Sequence, residues 1–380
     1  MAPLASGSPE TSRLPARTDV VVVGAGIQGL VTALHLARAG REVVVLERGD
    51  PWREASGVNA GSLAIQNKRL PLVPFAREAL RQWASYQREL GDVGFTPAGG
   101  LRVAESDDDV ARLRESAAQH RALGLPVEWL DGASLKACAP WLGAGVLAAT
   151  FCPEDGFASP LLAGRVLGAT VAKNGASVVP GTAVLGVTSD GERIDVETSR
   201  GSLSCRTLAV AAGVWSGEVV RSLGVALPVG LDTNMLTITE PAGMVMDRIV
   251  THVRGILTLK QYPNGTCMIG GGWQGLGDIV TRRKDLDYES LLHNLRVAAA
   301  VVPGLAPLQI VRSWAGLEGV TPDSLPLLGR LPGHANVFVT ACARGGFTLG
   351  PVLGRLLAEL IVQGDTSMPI AAFDPARFVR

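Results

Sequence analysis

The sequence predicts an α/β fold, with helices on a parallel sheet at both ends of the chain and a strand-rich middle forming a mixed or antiparallel sheet. Three observations predict it. A strand, glycine turn, helix and second strand open the chain at Asp19 to Glu47. A late apolar strand, NVFVTAC at 336–342, leads through a glycine pair into a final helix. Between them most segments are short β-prone runs set off by turn residues. The 380 residues suffice for two domains. The first is expected to be discontinuous, covering 18–92, 145–227 and 302–380, and the second to cover 93–144 and 228–301. Residues 1–17, rich in Ser, Pro and Ala without an apolar run, read as a flexible extension.

The opening unit is the most specific. VVVV leads into Gly24, Gly26 and Gly29 in G-x-G-x-x-G spacing, with Ile27 and Gln28 inside the turn. A helix follows through Ala33 to Ala37, and Glu47 closes the next strand. This order is that of the dinucleotide-binding βαβ unit. Gly24 permits the tight turn, Gly26 lets a pyrophosphate approach the backbone, and Gly29 lets helix and strand pack closely. The helix N-terminus offers N–H groups and a positive dipole end to phosphates. Glu47, with Arg48 beside it, is placed to meet a ribose diol.

Further elements follow in order. Residues 71–90 read as an amphipathic helix with Phe75, Leu80, Trp83 and Leu90 on its apolar face. A strand is expected at 101–106 and a charged surface helix at 107–123. A short helix is expected at 134–142 with Pro140 inside it, then a strand at 146–151 and a helix at 161–174. The runs SVVPG, AVLGVTS, RIDVETS and TLAVAAG read as strands, as do NMLTITE, GILTLKQY and TCMIGGG. Helices are expected at 286–301 and 351–363.

Lys plus Arg equal Asp plus Glu, 35 each. A neutral surface argues against nucleic acid or an anionic membrane as the main partner. Cys138, Cys152, Cys205, Cys267 and Cys342 form no C-x-x-C, so neither zinc nor an iron–sulfur cluster is readable, and reduced thiols of a cytoplasmic protein are expected. No stretch is long enough to span a membrane.

Five separated segments occur in an order that resembles one family. They are DVVVVGAGIQG with Glu47, ASGVNAGSL, TLAVAAGVWS, WAGLEGVTPDSLPLLG and CARGGFTLGPVLGRLLAELI. The chain resembles the D-amino-acid, glycine and sarcosine oxidase family of FAD-dependent oxidoreductases. Within it, NAGSLAIQNK, LTLKQ, IGGGW and GGFTLGP look most like the flavin subunits of opine oxidase, hydrogen-cyanide synthase and dye-linked proline or hydroxyproline dehydrogenases. The resemblance implies an FAD-binding Rossmann-like domain of the glutathione-reductase type beside a substrate domain.

It also implies cofactor contacts. Ser56, Asn59, Ala60, Gly61, Ser62 and Leu63 would offer hydroxyls and N–H groups to the phosphates or the flavin edge, the alternative being an ordinary Gly/Ser turn. Ala212, Gly213 and Trp215 close a strand end where open α/β sheets bind ligands. Val184 matches a position whose backbone meets the adenine, or is simple core. Gly316 and the run Gly345, Gly346, Phe347 and Thr348 would face the flavin, the latter at a helix end that stabilises negative charge on its pyrimidine side.

The implied reaction is oxidation of a C–N bond by hydride transfer to flavin N5, with hydrolysis of the imine. No metal and no essential side-chain nucleophile is expected. Two departures matter. Glu318 stands where glycine and D-amino-acid oxidases carry a carboxylate-binding arginine, and can meet a cation or be a structural acid. Met268 stands where sarcosine oxidases carry an oxygen-activating lysine, and the chain has no cysteine at 315 or 316 for covalent flavin attachment. FAD is thus expected to be non-covalent, O2 a poor acceptor, and partner electron-transfer subunits present. Other substrate candidates are Arg344, for a carboxylate or a backbone contact, Lys260 or Gln261 on one strand, His252, and Gln66 or Lys68 past the flavin loop. His252 as a lone histidine, and Trp273 as a pocket wall, also have structural readings. A stand-alone peroxide-forming oxidase is the alternative, and an NAD-dependent dehydrogenase the reading from another class.

Overall fold

The computed structural model describes residues 14–341 and 344–378. Most of the expected N-terminal extension, and Cys342, lie outside the described residues. Two eight-stranded sheets organise the rest.

The first sheet is built on Arg17–Val23, which pairs in parallel with Gly201–Val210 on one side and Val43–Leu46 on the other. Ser177–Val179 extends one flank and Val337–Ala341 the other, both in parallel. Arg17–Val23 and Val43–Leu46 are almost wholly buried, so they read as unbroken valine runs and not as alternating patterns. The opening helix, Ile27–Arg38, packs on the final helix, Gly346–Gln363, over one face. At their crossing Thr32 Oγ1 donates to Gly354 O, and Gly354 lies against the Gln28 backbone.

The second sheet runs in the order 310–320, 230–241, 266–274, 258–261, 249–252, 100–104, 148–152, 128–131. Its pairs are antiparallel except for Ile249–His252 beside Gly100–Ala104. Two segments therefore fall elsewhere than the sequence ranges put them. Ala148–Cys152 and Ile310–Val320, read with the first domain, are strands of the second sheet. Their local patterns carry strand character but no record of the partner: Ile310–Val320 pairs along Gly230–Pro241, some eighty positions upstream.

Two helix bounds also differ. The helix expected at 134–142 is Gly132–Cys138 and stops before Pro140, because the residue ahead of a proline is driven out of the helical region. The final helix starts at Gly346, not at Pro351, which lies inside it and gives up one helical hydrogen bond. The glycines ahead of Pro351 look like a loop by composition, yet Gly345 supplies the left-handed N-cap from which the helix departs.

Gly354→Ala tests the helix crossing. In an exposed helix this change stabilises by up to about 1 kcal/mol. Here the new Cβ would lie 2.8 Å from Gln28 O and against Val31. Overpacking of about 1–3 kcal/mol should outweigh the propensity gain, giving net destabilisation in urea unfolding.

Candidate cofactor and substrate site

A cavity of about 850 Å³ runs along the C-terminal ends of the first sheet's parallel strands and reaches the second sheet. Of the sequence-predicted cofactor residues, all line it except Gly29 and Leu63. Gly29 is a packing glycine whose added Cβ would strike Gly24 O, and Leu63 is buried in the core.

The turn is fixed from several sides. Gly24 has φ +102°, and its N–H donates to Leu46 O at 2.8 Å. Gly26 faces the cavity, where an added Cβ would meet only Ser56 Oγ, at 3.0 Å. Ile27 N–H donates to that hydroxyl at 2.9 Å, so Ser56 caps the helix from the next loop. The helix carries no acidic residue of its own in its first turn. Glu47 accepts from Ala25 N and Gly49 N, both at 2.9 Å, which aims its carboxylate along the turn. Asn59 serves the loop itself: its Oδ1 accepts from Gly61 N at 2.6 Å and its Nδ2 donates to Ser56 O at 2.7 Å. Ser62 joins three segments, through Thr258 Oγ1 at 3.0 Å and through its carbonyl, which accepts from Thr348 at 3.1 Å.

These residues fit FAD. Gly26 forms an open backbone cradle, helix amides and Ser56 offer donors, and Glu47 offers an acceptor. The Arg48 guanidinium stacks 3.4 Å above the Trp215 ring, and its Nη2 is buried without a hydrogen-bond partner, as expected of a group awaiting a ligand. Among the described residues no cluster of three or more His, Cys, Asp or Glu could hold a metal ion.

The substrate candidates divide. Glu318 and Arg344 line the cavity; Lys260, Met268, His252 and Gln66 do not. Glu318 accepts from Asn234 Nδ2 at 2.6 Å and from Gly345 N at 3.0 Å, at the N-terminus of the final helix. Burial raises its pKa, opposed by the Gly345 N–H and by the Lys68 and Arg344 charges. Arg344 pairs with Asp232 at 2.7 Å and has a left-handed φ of +51°.

The others are held in structural roles. Gln66 binds Gly100 O, Asp155 and Thr150 in the interior. His252 is buried, its Nδ1 accepting from Arg254 N at 3.1 Å and its Nε2 3.5 Å from Glu105, and burial lowers its pKa. Gln261 fastens Val245 and Met246, and Trp273 donates to Ile256 O. Lys260 is buried behind the cavity wall, its Nζ bonded to Ala60 O and, at 3.0 Å, to Ser62 Oγ. Sequence reasoning missed Asn234, Leu236, Thr258 and Arg282 as wall residues. Thr258 lies within LTLKQ but draws no notice beside Lys260, and no local motif marks the other three, which arrive from the second sheet and its hairpin.

The family model "DAO: FAD dependent oxidoreductase" matches residues 19–360. Glycine oxidase of Geobacillus kaustophilus (strain HTA426) is 27% identical over 374 residues, covering 96% of this chain and 98% of that protein. A crystal structure of glycine oxidase from that species has a TM-score of 0.91 at 25% identity, covering 96% of this chain and 100% of the other. Sarcosine oxidase subunit beta of Rhodobacter capsulatus is 26% identical, covering 96% and 88%. L-proline dehydrogenase from P. horikoshii has a TM-score of 0.87 at 26% identity, covering 96% and 98%.

Burial of Lys260 predicts a pH-dependent stability. Desolvation lowers its pKa from 10.5 to about 7. Below about pH 7 both folded and unfolded chains hold the proton, and the burial penalty is present in full. Between about 7 and 10.5 the unfolded chain holds a proton the folded one lacks, so this group's contribution to stability rises with pH. Lys260→Met removes that titration. Its stability relative to the parent in urea unfolding should fall by about 3 kcal/mol from pH 7 to pH 9.5, at about 1.4 kcal/mol per unit. A difference that is flat with pH would show that the amine is not desolvated.

Proposed function

The chain belongs to the DAO family of FAD-dependent oxidoreductases, and from that membership we propose that it oxidises an amino acid, imino acid or opine and passes the electrons to partner subunits. It is an FAD-dependent enzyme acting on amine C–N bonds, so the NAD-dependent alternative falls away. FAD held at the Gly24–Gly29 turn and Glu47 would supply the hydride acceptor for oxidation of the substrate's C–N bond. The protein's part is to hold that carbon in place and to supply a polar end to the pocket.

One observation carries the substrate reading: Glu318 is fixed at the cavity wall, its two oxygens held by Asn234 and Gly345, with Lys68 and Arg344 beside it. A mixed pair of charges suits a zwitterion whose amine meets the acid and whose carboxylate meets a cation. We read the first sheet as the cofactor domain and the second as the substrate domain. No described cysteine lines the cavity, which supports non-covalent FAD. The free thiols of Cys138, Cys152, Cys205 and Cys267 support a cytoplasmic location. Among the described residues no helix is long and apolar enough to cross a membrane.

Transfer to partner subunits is supported by the likeness to a sarcosine oxidase subunit beta. One observation favours the other reading, a stand-alone oxidase. Lys260 stands directly across the strand ladder from Met268, so both side chains leave the same face. Its Nζ reaches Ala60 and Ser62 of the cofactor loop.

Glu318→Arg should lower amine-dependent flavin reduction at least about tenfold, because a third cation would join Lys68 and Arg344 and the bonds to Asn234 and Gly345 would be lost. Anaerobic stopped-flow reduction measures it, and an unchanged rate would place residue 318 outside the substrate site. In the same apparatus, reduced wild-type enzyme mixed with air-saturated buffer should reoxidise slowly, and rapidly with an artificial dye or partner subunit. Reoxidation by O2 at the turnover rate would establish the oxidase reading.

A further inference from the structure

We propose that hairpin 276–285 is a strap over the cofactor site and that Arg282 at its tip, together with Arg48, binds the pyrophosphate of FAD. The hairpin belongs to the chain between the Thr266–Gln274 strand and the Tyr288–Val301 helix of the second sheet's side, and its two short strands pair Leu276 with Asp285 and Gly277 with Lys284. It is fastened to the cofactor side at two points. Trp215 Nε1 donates to Ile279 O at 3.0 Å, and Lys284 pairs with Glu54. The tip is shaped from within by Asp278, which accepts from Thr281 N–H and hydroxyl and donates its N–H to Arg283 O.

That shape puts Arg282 on the wall of the same cavity that Arg48 lines. Arg48 is stacked on Trp215, the ring that also holds the strap, and its buried Nη2 has no hydrogen-bond acceptor; Glu54 Oε1 lies 4.0 Å away. The two guanidinium groups are close enough that Arg282 depresses the Arg48 pKa, after the larger effect of burial. The carboxylates of Glu54, Glu47 and Glu218 offset part of this repulsion, but none accepts from the buried Arg48 Nη2, a donor that an anion in the cavity would satisfy. The anionic part of FAD is its pyrophosphate, and the cavity also takes in the N-terminus of the opening helix, where phosphate is favoured. Arg282 holds a left-handed φ of +62° at the hairpin tip, a conformation that glycine adopts without cost.

The test uses Arg282→Ala and Arg282→Gly. FAD release from diluted holoenzyme is followed by recovery of flavin fluorescence, and the FAD-stripped full chain is titrated calorimetrically with ADP and with adenosine. Both variants should release FAD about tenfold faster and bind ADP about tenfold more weakly, with adenosine binding unchanged. Arg282→Gly, which accepts the left-handed backbone, should do so without lowering the melting temperature of the stripped chain. Unchanged ADP affinity would overturn the proposal. So would equal weakening of ADP and adenosine, which would mean that Arg282 packs on the nucleoside.

Discussion

The structure depends on one close approach of backbone to backbone. At Gly24 the chain leaves the central strand with a positive φ, and an added Cβ would lie 2.5 Å from Ala211 O at the end of the neighbouring strand. Gly29, one turn into the helix, would strike Gly24 itself. Two strand ends and a helix N-terminus thus meet in a space with no room for side chains. The amides at the helix N-terminus, the Glu47 carboxylate and the Ala211–Gly213 strand end take their positions from that meeting. The final helix is bound into the same arrangement through Gly350 against Ile27 and Gly354 against Gln28. The cavity-lining end of that helix therefore inherits its place from the opening turn.

How far the sequence could be read follows from which constraints are local. The glycine turn, Glu47 and the strand–glycine–helix run near the C-terminus declare themselves because each needs particular residues at fixed spacing. The cofactor residues they identify line one cavity, apart from Gly29 and Leu63, whose tasks are packing. The second sheet was legible as strands but not as an arrangement. Ile310–Val320 and Ala148–Cys152 carry ordinary strand patterns, and membership of a sheet is decided by partners far away in the chain. The same limit explains the substrate candidates. Lys260 and His252 are polar residues in sheet strands, and sequence gives no measure of whether such a group faces a pocket or is buried behind it. Asn234 and Thr258 were missed for the converse reason, being unremarkable residues brought to the wall by pairing.

The cofactor loop shows why two of those buried groups are there at all. Its segment 60–66 is held at one end by Lys260, on Ala60 O and Ser62 Oγ, and at the other by Asp155, which accepts from Ile65 N at 2.6 Å and from Gln66 Nε2 at 3.0 Å. Burial moves both toward neutrality, lowering Lys260 to about 7 and raising Asp155 to about 6. A buried ionisable group that stabilises no partner charge is costly. Here each instead satisfies backbone groups of a loop that turns through Gly61 with a φ of +72° and cannot use a regular ladder for most of its length. The Lys260 side comes from the second sheet, whereas Asp155 lies just past the Ala148–Cys152 strand of that sheet. Both anchors thus come from the side of the second sheet. The loop on the cavity wall is thus held in shape by the second sheet, so its ordering is completed on folding and does not have to be met again when a ligand binds. Ser62 is where the second sheet, the loop and the final helix meet, since it bonds Lys260, Thr258 and Thr348 together, so a shift of that sheet is passed to the cavity wall through it.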